Sequence, residues 1–306
     1  MELQNNNPLL CDIETGMCEM PGSQEKEAVA GITQLQQKAI KVIYYTDPIC
    51  SSCWGIEPQL RKLKMEYGAS IEVEYRMGGL LPDWSYNGGG ISNPADVAHH
   101  WDEVSVHYDM PIDGDVWLED PLSSSYPPSI AFKAAQLQSP EKAISFLREI
   151  REMVFLQKKN IAKQEYFEAA AGSVGLDVQQ FKIDCEGKAK ELFQEDLDLG
   201  RKLGVRGFPS LFFSDQGGNT EFVYGNKPYA FYEMAILKLA PTVTKAEYSK
   251  NWEVLFAKYP TLTAREFSEL SGTPRKESEQ ILIELTAKGI LLQTLIKNGS
   301  MFKLVN

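Results

Sequence analysis

A Cys-x-x-Cys set between a strand and a helix constrains this chain more than any other feature. Ile40 to Tyr45 is a short run of mostly β-branched and aromatic residues, which reads as a buried strand. Beyond Cys50-Ser51-Ser52-Cys53-Trp54-Gly55, the residues Ile56, Leu60, Leu63 and Tyr67 recur at helical spacing and stop at Gly68, a C-cap signal. A strand that turns directly into a helix puts the first cysteine at the helix N-terminus, where unpaired N–H groups and the helix dipole favour a thiolate. Cys50 is therefore expected as the reactive thiol and Cys53, one turn inside, as its resolving partner. The short spacer lets the pair close and reopen with little backbone movement. A Cys-x-x-Cys can also be half of a zinc site. The second pair, Cys11 and Cys18, has polar, turn-like surroundings and a longer spacing, so redox chemistry is favoured and no metal is expected.

The chain has 306 residues, 43% apolar and 24% charged, enough for a sizeable core and for one large or two to three small domains. A net charge of −11 argues against a general nucleic-acid or anionic-membrane binder, which needs clustered Lys and Arg. No apolar run approaches the roughly 18 residues of a membrane span. Met1 to Pro8 shows no secretory signal, and five cysteines in a chain of this length point to a reducing cytoplasm.

Residues 1–38, with Asn5-Asn6-Asn7-Pro8 and a Gln-rich end, read as a mobile arm turning helical near Gln34 to Ala39. Cys11 and Cys18 within it are either exposed thiols or an auxiliary redox pair that exchanges with Cys50 and Cys53. Residues 39–93 carry the strand, the helix, a second strand from Ser70 to Met77, and a long loop with Gly88-Gly89-Gly90 at its centre. Trp84 and Tyr86 in that loop either flap over the cysteines or pack. Residues 94–200 are helical throughout, opened by an Asn93 cap and Pro94. His99, His100 and His107, the three histidines, read as surface or loosely packed. Cys185, beside Phe181 and Ile183, reads as a small buried residue. Residues 201–241 return a strand at Ser210–Phe213, a hairpin at 214–219, a strand to Tyr224 and a helix. Residues 242–306 begin with a helix near Lys245–Lys258. A capped helix over Thr263–Gly272, a helix from Thr273-Pro274 and a hairpin turning at Asn298-Gly299 follow, an order that resembles a winged helix. Glu277, Glu279 and Glu284 stand where base or phosphate contacts would want Arg, Lys or Asn, so the module is read as a protein-contact unit.

Asp47-Pro48-Ile49-Cys50-Ser51-Ser52-Cys53-Trp54-Gly55 resembles the active-site motif of cytosolic DsbA-like thioredoxin-fold proteins, the group with the FrnE-type dithiol–disulfide isomerases. Gly204-Val205-Arg206-Gly207-Phe208-Pro209 is similar to the same family's Gly-Val-x-Gly-x-Pro strand start. The resemblance implies an α/β thioredoxin-like fold with a large all-helical insertion and a cis Pro209 facing the cysteine pair. It also implies protein thiols and disulfides as substrates, with no cofactor beyond the redox-active disulfide. Cys50 would attack a substrate disulfide and Cys53 would resolve the mixed disulfide. Trp54, Phe208 and Pro209 would form an apolar lip beside Cys50, and Asp47 would relay a proton or cap the helix. Two residues depart from familiar relatives: the spacer is Ser51-Ser52, and Tyr44 stands where a buried carboxylate is common. The first expectation is therefore a dithiol–disulfide oxidoreductase or isomerase. The rival is the family's Clp-protease adaptor branch, which would use the C-terminal module for a protein partner. The kappa-class glutathione transferase and chromene isomerase branch places Ser where Cys50 stands and fits less well.

Overall fold

The computed structural model describes residues 11–12, 17–19, 38–85 and 93–305, the first two stretches as backbone. A short hairpin, β1 (Cys11–Asp12) and β2 (Met17–Glu19), precedes the central sheet. In β3 (Ile40–Thr46), Ile40, Val42 and Tyr44 are buried while Lys41 and Ile43 between them are partly exposed, the period of two expected of a strand. The chain then passes through α1 (Ser51–Gly55) and α2 (Glu57–Tyr67) into β4 (Ile71–Met77), which lies parallel to β3 with Ile40 opposite Ile71.

The insertion carries α3 (Pro94–Tyr108), α4 (Val116–Glu119), α5 (Tyr126–Gln138), α6 (Pro140–Leu156), α7 (Gln164–Ser173), α8 (Val178–Glu186) and α9 (Lys188–Lys202). Asn93 caps α3 as expected, accepting from Ala95 and Asp96 N–H while Asp96 closes the box. After it come β5 (Gly207–Phe208), β6 (Ser210–Asp215), β7 (Thr220–Tyr224) and α10 (Tyr229–Leu239). The central sheet has the order β4-β3-β6-β7, with β6 antiparallel to both its neighbours. One large core joins this sheet to the insertion, with Trp54, Trp101, Trp117, Phe132 and Phe155 among its buried side chains.

The last segment has its own core, built on Leu255, Phe256, Leu262, Phe267, Leu270, Leu282 and Phe302. Its elements are α11 (Trp252–Lys258), β8 (Thr261–Thr263), α12 (Ala264–Ser271), α13 (Arg275–Ala287), β9 (Leu291–Ile296) and β10 (Gly299–Leu304). Thr263 and Glu266 form a capping box on α12, and Gly272 ends it at a positive φ of 74°. Three expectations change. Residues 245–250 are not helical; Ala246 N–H instead donates to Glu66 O at 2.7 Å, tying the segment to α2. The strand β8 was not foreseen, and it pairs with β10. Ile296 stands opposite Gly299, so the hairpin turns on Lys297-Asn298 rather than Asn298-Gly299.

Of the N-terminal arm, the parts described are paired strands rather than a free tail. Cys11 is the Cα partner of Cys18, and Cys18 that of Phe208, in a sheet of order β1-β2-β5. Gln34–Gln37, Tyr86 and Gly88-Gly89-Gly90 lie outside the described residues. Trp84 is packed, its indole N–H donating to Leu122 O at 2.8 Å and its ring edge-on to Trp117. His100 is buried, and burial lowers its pKa to about 4, while His99 remains exposed beside Glu103. Cys185 is half-buried, and its burial raises the thiol to about 12.

Candidate active site and its buried charge network

Cys50 is the N-cap of α1, and its Sγ accepts the Cys53 N–H at 3.1 Å. The helix is one turn long, breaking at Ile56 before Pro58 opens α2. Gly55 permits this approach to α3, since a Cβ there would stand 2.7 Å from the Tyr108 ring. Ser52 Oγ and Tyr108 OH share a hydrogen bond of 2.7 Å, fastening the short helix to the insertion.

Phe208–Pro209 is a cis peptide bond, as the resemblance implied. Ser210 is opposite Tyr45 in the β3–β6 pairing, so Pro209 stands level with Thr46, where β3 gives way to the cysteine turn. The Phe208 ring lies over Gly78, where a Cβ would come within 1.8 Å of it. Two loops and one helix start thus converge at the end of β3.

Neither Cys50 nor Cys53 has solvent exposure. Burial, and a hydrogen bond shared with Cys53, push the Cys50 thiol up. Burial also acts against the Cys53 thiolate, but the Cys50 hydrogen bond, Arg151, Thr46 and the Asp47 backbone outweigh it and lower that thiol. In this closed form burial and the hydrogen bond shared with Cys53 act against the thiolate that the N-cap position of Cys50 favours.

Asp47, expected as a proton relay or helix cap, is wholly buried. Its Oδ1 accepts Ile49 N–H at 3.0 Å, and Oδ2 accepts Leu80 N–H at 2.8 Å and Ser125 O–H at 2.9 Å. Burial raises it to about 6, against those donors and Arg151. It does not cap α1, since Cys50 does. Trp54 is not a lip: it is buried, stacked on Phe155, and its indole N–H donates to Pro111 O at 3.0 Å. Phe208 is buried as well.

Several residues of the site were not foreseen. Arg151, from α6, donates to Thr46 Oγ1 at 2.6 Å, to Asp47 O at 3.1 Å and to Glu57 at 2.7 Å. Burial opposes its charge, but Tyr44, Glu57 and both cysteines keep it fully protonated. Tyr44, in place of a carboxylate, accepts from Thr46, and burial and Cys53 raise its phenol. Arg148, one turn before Glu152, lies 4.3 Å over the Trp54 ring and reaches Glu266 of the C-terminal segment at 2.8 and 3.1 Å. The signal available was a pair of arginines among Phe146, Leu147, Ile150 and Val154, all buried on α6. Among the described residues no group of three or more His, Cys, Asp or Glu could hold a metal ion.

The family model described as Thioredoxin matches residues 44–234. The ClpXP adapter protein SpxH of Halalkalibacterium halodurans is 31% identical over 305 residues, covering 98% of each chain. SpxH of Shouchella clausii is 30% identical over 275 residues, 89% of each. Among solved structures, the cytosolic disulfide reductase DsbM from Pseudomonas aeruginosa superposes with a TM-score of 0.53 at 22% identity, covering 65% of this chain and all (100%) of that one. The family match spans the cysteine turn, the insertion and the cis proline, and the SpxH similarity continues through the C-terminal segment: this chain belongs to the thioredoxin family, together with the SpxH proteins.

Proposed function

We propose that this chain is an adaptor that brings a protein client to the ClpXP protease, with the buried Cys50–Cys53 dithiol as a redox-responsive element behind the client contact. The observation that carries this reading is where exposure lies. Cys50, Cys53, Trp54 and Phe208 have none, whereas Leu292 and Leu295 on β9 are 58% and 79% exposed on a module held by the buried Arg148–Glu266 pair. Exposed apolar side chains on a rigidly held unit suit a protein partner. A relative named ClpXP adapter protein matches over 98% of the chain, that module included. No described helix is long and apolar enough to cross a membrane, and work beside ClpXP would be done in the cytoplasm. The test is a chase of short-lived proteins in cells lacking this chain, lacking ClpX, or lacking both. The adaptor reading expects a client whose half-life rises several-fold in each single deletion and no further in the double. Leu292→Glu with Leu295→Glu would reproduce that rise, and absence of any such client would sink the reading.

A second reading, a protein dithiol–disulfide oxidoreductase or isomerase, is favoured by the Cys50 cap geometry, the cis Pro209 and the cation beside Cys53. In it Cys50 attacks a substrate disulfide and Cys53 releases the reduced substrate. Because both thiols are buried, the turn must open for each cycle. Insulin-disulfide reduction by the wild type, Cys50→Ser and Cys53→Ser tests it. Equal rates in all three would remove the enzyme reading.

A further inference from the structure

The strand before the cis proline already has an occupant from this same chain. β2 runs antiparallel to β5, with Cys18 opposite Phe208 and Glu19 opposite Gly207. Phe208 immediately precedes Pro209, which stands level with the end of β3 at the cysteine turn. That edge is where an extended peptide would pair beside the cysteine turn, since main-chain pairing along an open strand is one way a sheet takes an extended segment. The N-terminal hairpin therefore holds the place of a substrate. The residue it sets opposite Phe208 is a cysteine, and the residue across the hairpin is the other one.

Directly opposed residues of an antiparallel pair have Cα atoms about 4.5 to 5.5 Å apart. A disulfide spans Cα separations of about 4.4 to 6.8 Å. Either kind of opposed position thus permits a Cys11–Cys18 bond without moving the backbone. Residues 20–39 tether the hairpin to β3. A link of that order gives an effective concentration in the millimolar range, far above that of most outside proteins.

We infer that the Cys11–Cys18 hairpin is an internal substrate of the Cys50–Cys53 pair, docked by strand addition on β5. A low-molecular-weight disulfide oxidises Cys11 and Cys18 to a cross-strand disulfide and is itself reduced to two thiols, which carry off the two protons. The Cys50 thiolate attacks Cys18 sulfur, forming a Cys50–Cys18 bond and releasing Cys11 as thiolate. The Cys53 thiolate then attacks Cys50 sulfur, forming the Cys50–Cys53 disulfide and releasing Cys18 as thiolate. Two electrons pass from the buried pair to the hairpin, and the two thiol protons of the buried pair end on Cys11 and Cys18. An oxidising signal received on the N-terminal arm is thereby stored in the site, with no outside protein needing to reach Cys50. This rests on the dithiol chemistry of the second reading above and not on the adaptor role.

The test uses the full chain carrying Cys53→Ser and Cys185→Ser, oxidised with glutathione disulfide and mapped by non-reducing peptide mass spectrometry. The expected product is a Cys18–Cys50 peptide pair, formed at a rate independent of protein concentration. Against about 10 μM of an external disulfide-bonded peptide, a millimolar effective concentration predicts a rate advantage on the order of 100-fold. Cys11→Ser in the same background should slow that exchange, because Cys18 is then activated only as a mixed disulfide with glutathione and not as the hairpin disulfide. A second arm offers 5,5′-dithiobis(2-nitrobenzoic acid) to Cys50 in the chain that also carries Cys11→Ser and Cys18→Ser. If Cys50 reacts there but no Cys18–Cys50 pair ever forms, the internal-substrate inference is overturned while the dithiol chemistry stands. If Cys50 reacts in neither arm, both fail together.

Discussion

Asp47 and Glu266 each carry a carboxylate with no solvent exposure, and their partners differ in kind. Asp47 is held by two backbone N–H groups and the Ser125 hydroxyl, while Arg151 donates to the Asp47 carbonyl, Thr46 and Glu57. Glu266 takes Arg148 on both oxygens, Arg61 at 3.3 Å and the Thr263 N–H at 2.8 Å. Burial raises Asp47 to about 6, whereas at Glu266 the two guanidiniums overcome burial and lower the carboxyl. Neutral donors leave a buried carboxylate able to take a proton near neutrality; paired cations do not. The first arrangement suits a place where protons move, beside two thiols. The second suits a fastening that must not let go, and it joins the C-terminal segment to the helix whose Arg148 covers Trp54.

Removing the fastening should give the largest effect. Glu266→Ala strands Arg148 and Arg61 without their shared carboxylate, and breaking a buried pair from one side costs about 3–5 kcal/mol. Denaturant unfolding should show this loss, together with early protease cleavage between α10 and α11. A fall below 1 kcal/mol would mean that the two cores are held by apolar contact instead. The pH sign follows from the lowered carboxyl: the stabilisation is complete above the unfolded value near 4.5 and is lost only as pH falls through the folded value.

Next comes the cation on the thiol side. Arg151→Met leaves Glu57 without its 2.7 Å partner and takes a positive charge from beside Cys53. Arg61 stays 3.8 Å from Glu57, so the loss should stay below the roughly 3 kcal/mol of a fully orphaned buried carboxylate. The Cys53 thiol should rise, measured as slower alkylation of Cys53 in a Cys50→Ser background near pH 8. An unchanged alkylation rate would show that Arg151 serves packing alone.

How much of this contrast was legible in the sequence depends on the kind of interaction. The strand Ile40–Thr46, the cysteine turn, the helix starts at Asn93 and Thr263, and the strand after Pro209 all follow from local patterns, because caps and periodicity are written within a few residues. The buried arginines were not legible, because Arg148 and Arg151 sit on a helix whose charges look like an ordinary wet face until a second core closes over them. Trp54 was misjudged for the same reason: its partners Phe155 and Pro111 are about a hundred and about sixty residues away along the chain. The pairing of β2 with β5 likewise joins segments nearly the whole domain apart, with only the cysteines to mark it.

The smallest of these effects sharpens the Asp47 side. An acid whose folded value stands at about 6 against 3.8 unfolded binds more protons when folded throughout that interval. By linkage its contribution to stability falls as pH rises from about 4 to about 6, then stays level. Full ionisation of a group shifted by about two units would cost on the order of 3 kcal/mol, but Asp47→Asn recovers only part of that. The amide keeps the volume and one acceptor while turning an N–H₂ toward donors that Oδ2 now satisfies, Leu80 N–H and Ser125 O–H. At pH 7 the two changes offset each other to within about 1 kcal/mol. The diagnostic quantity is therefore the pH dependence of the difference between wild type and Asp47→Asn. It should fall with a slope near one proton between pH 4 and 6 and be flat above, by denaturant midpoints taken at half-unit steps. A flat difference across the whole range would place the Asp47 pKa at its ordinary value, and the contrast with Glu266 would then be one of geometry without a difference in charge state.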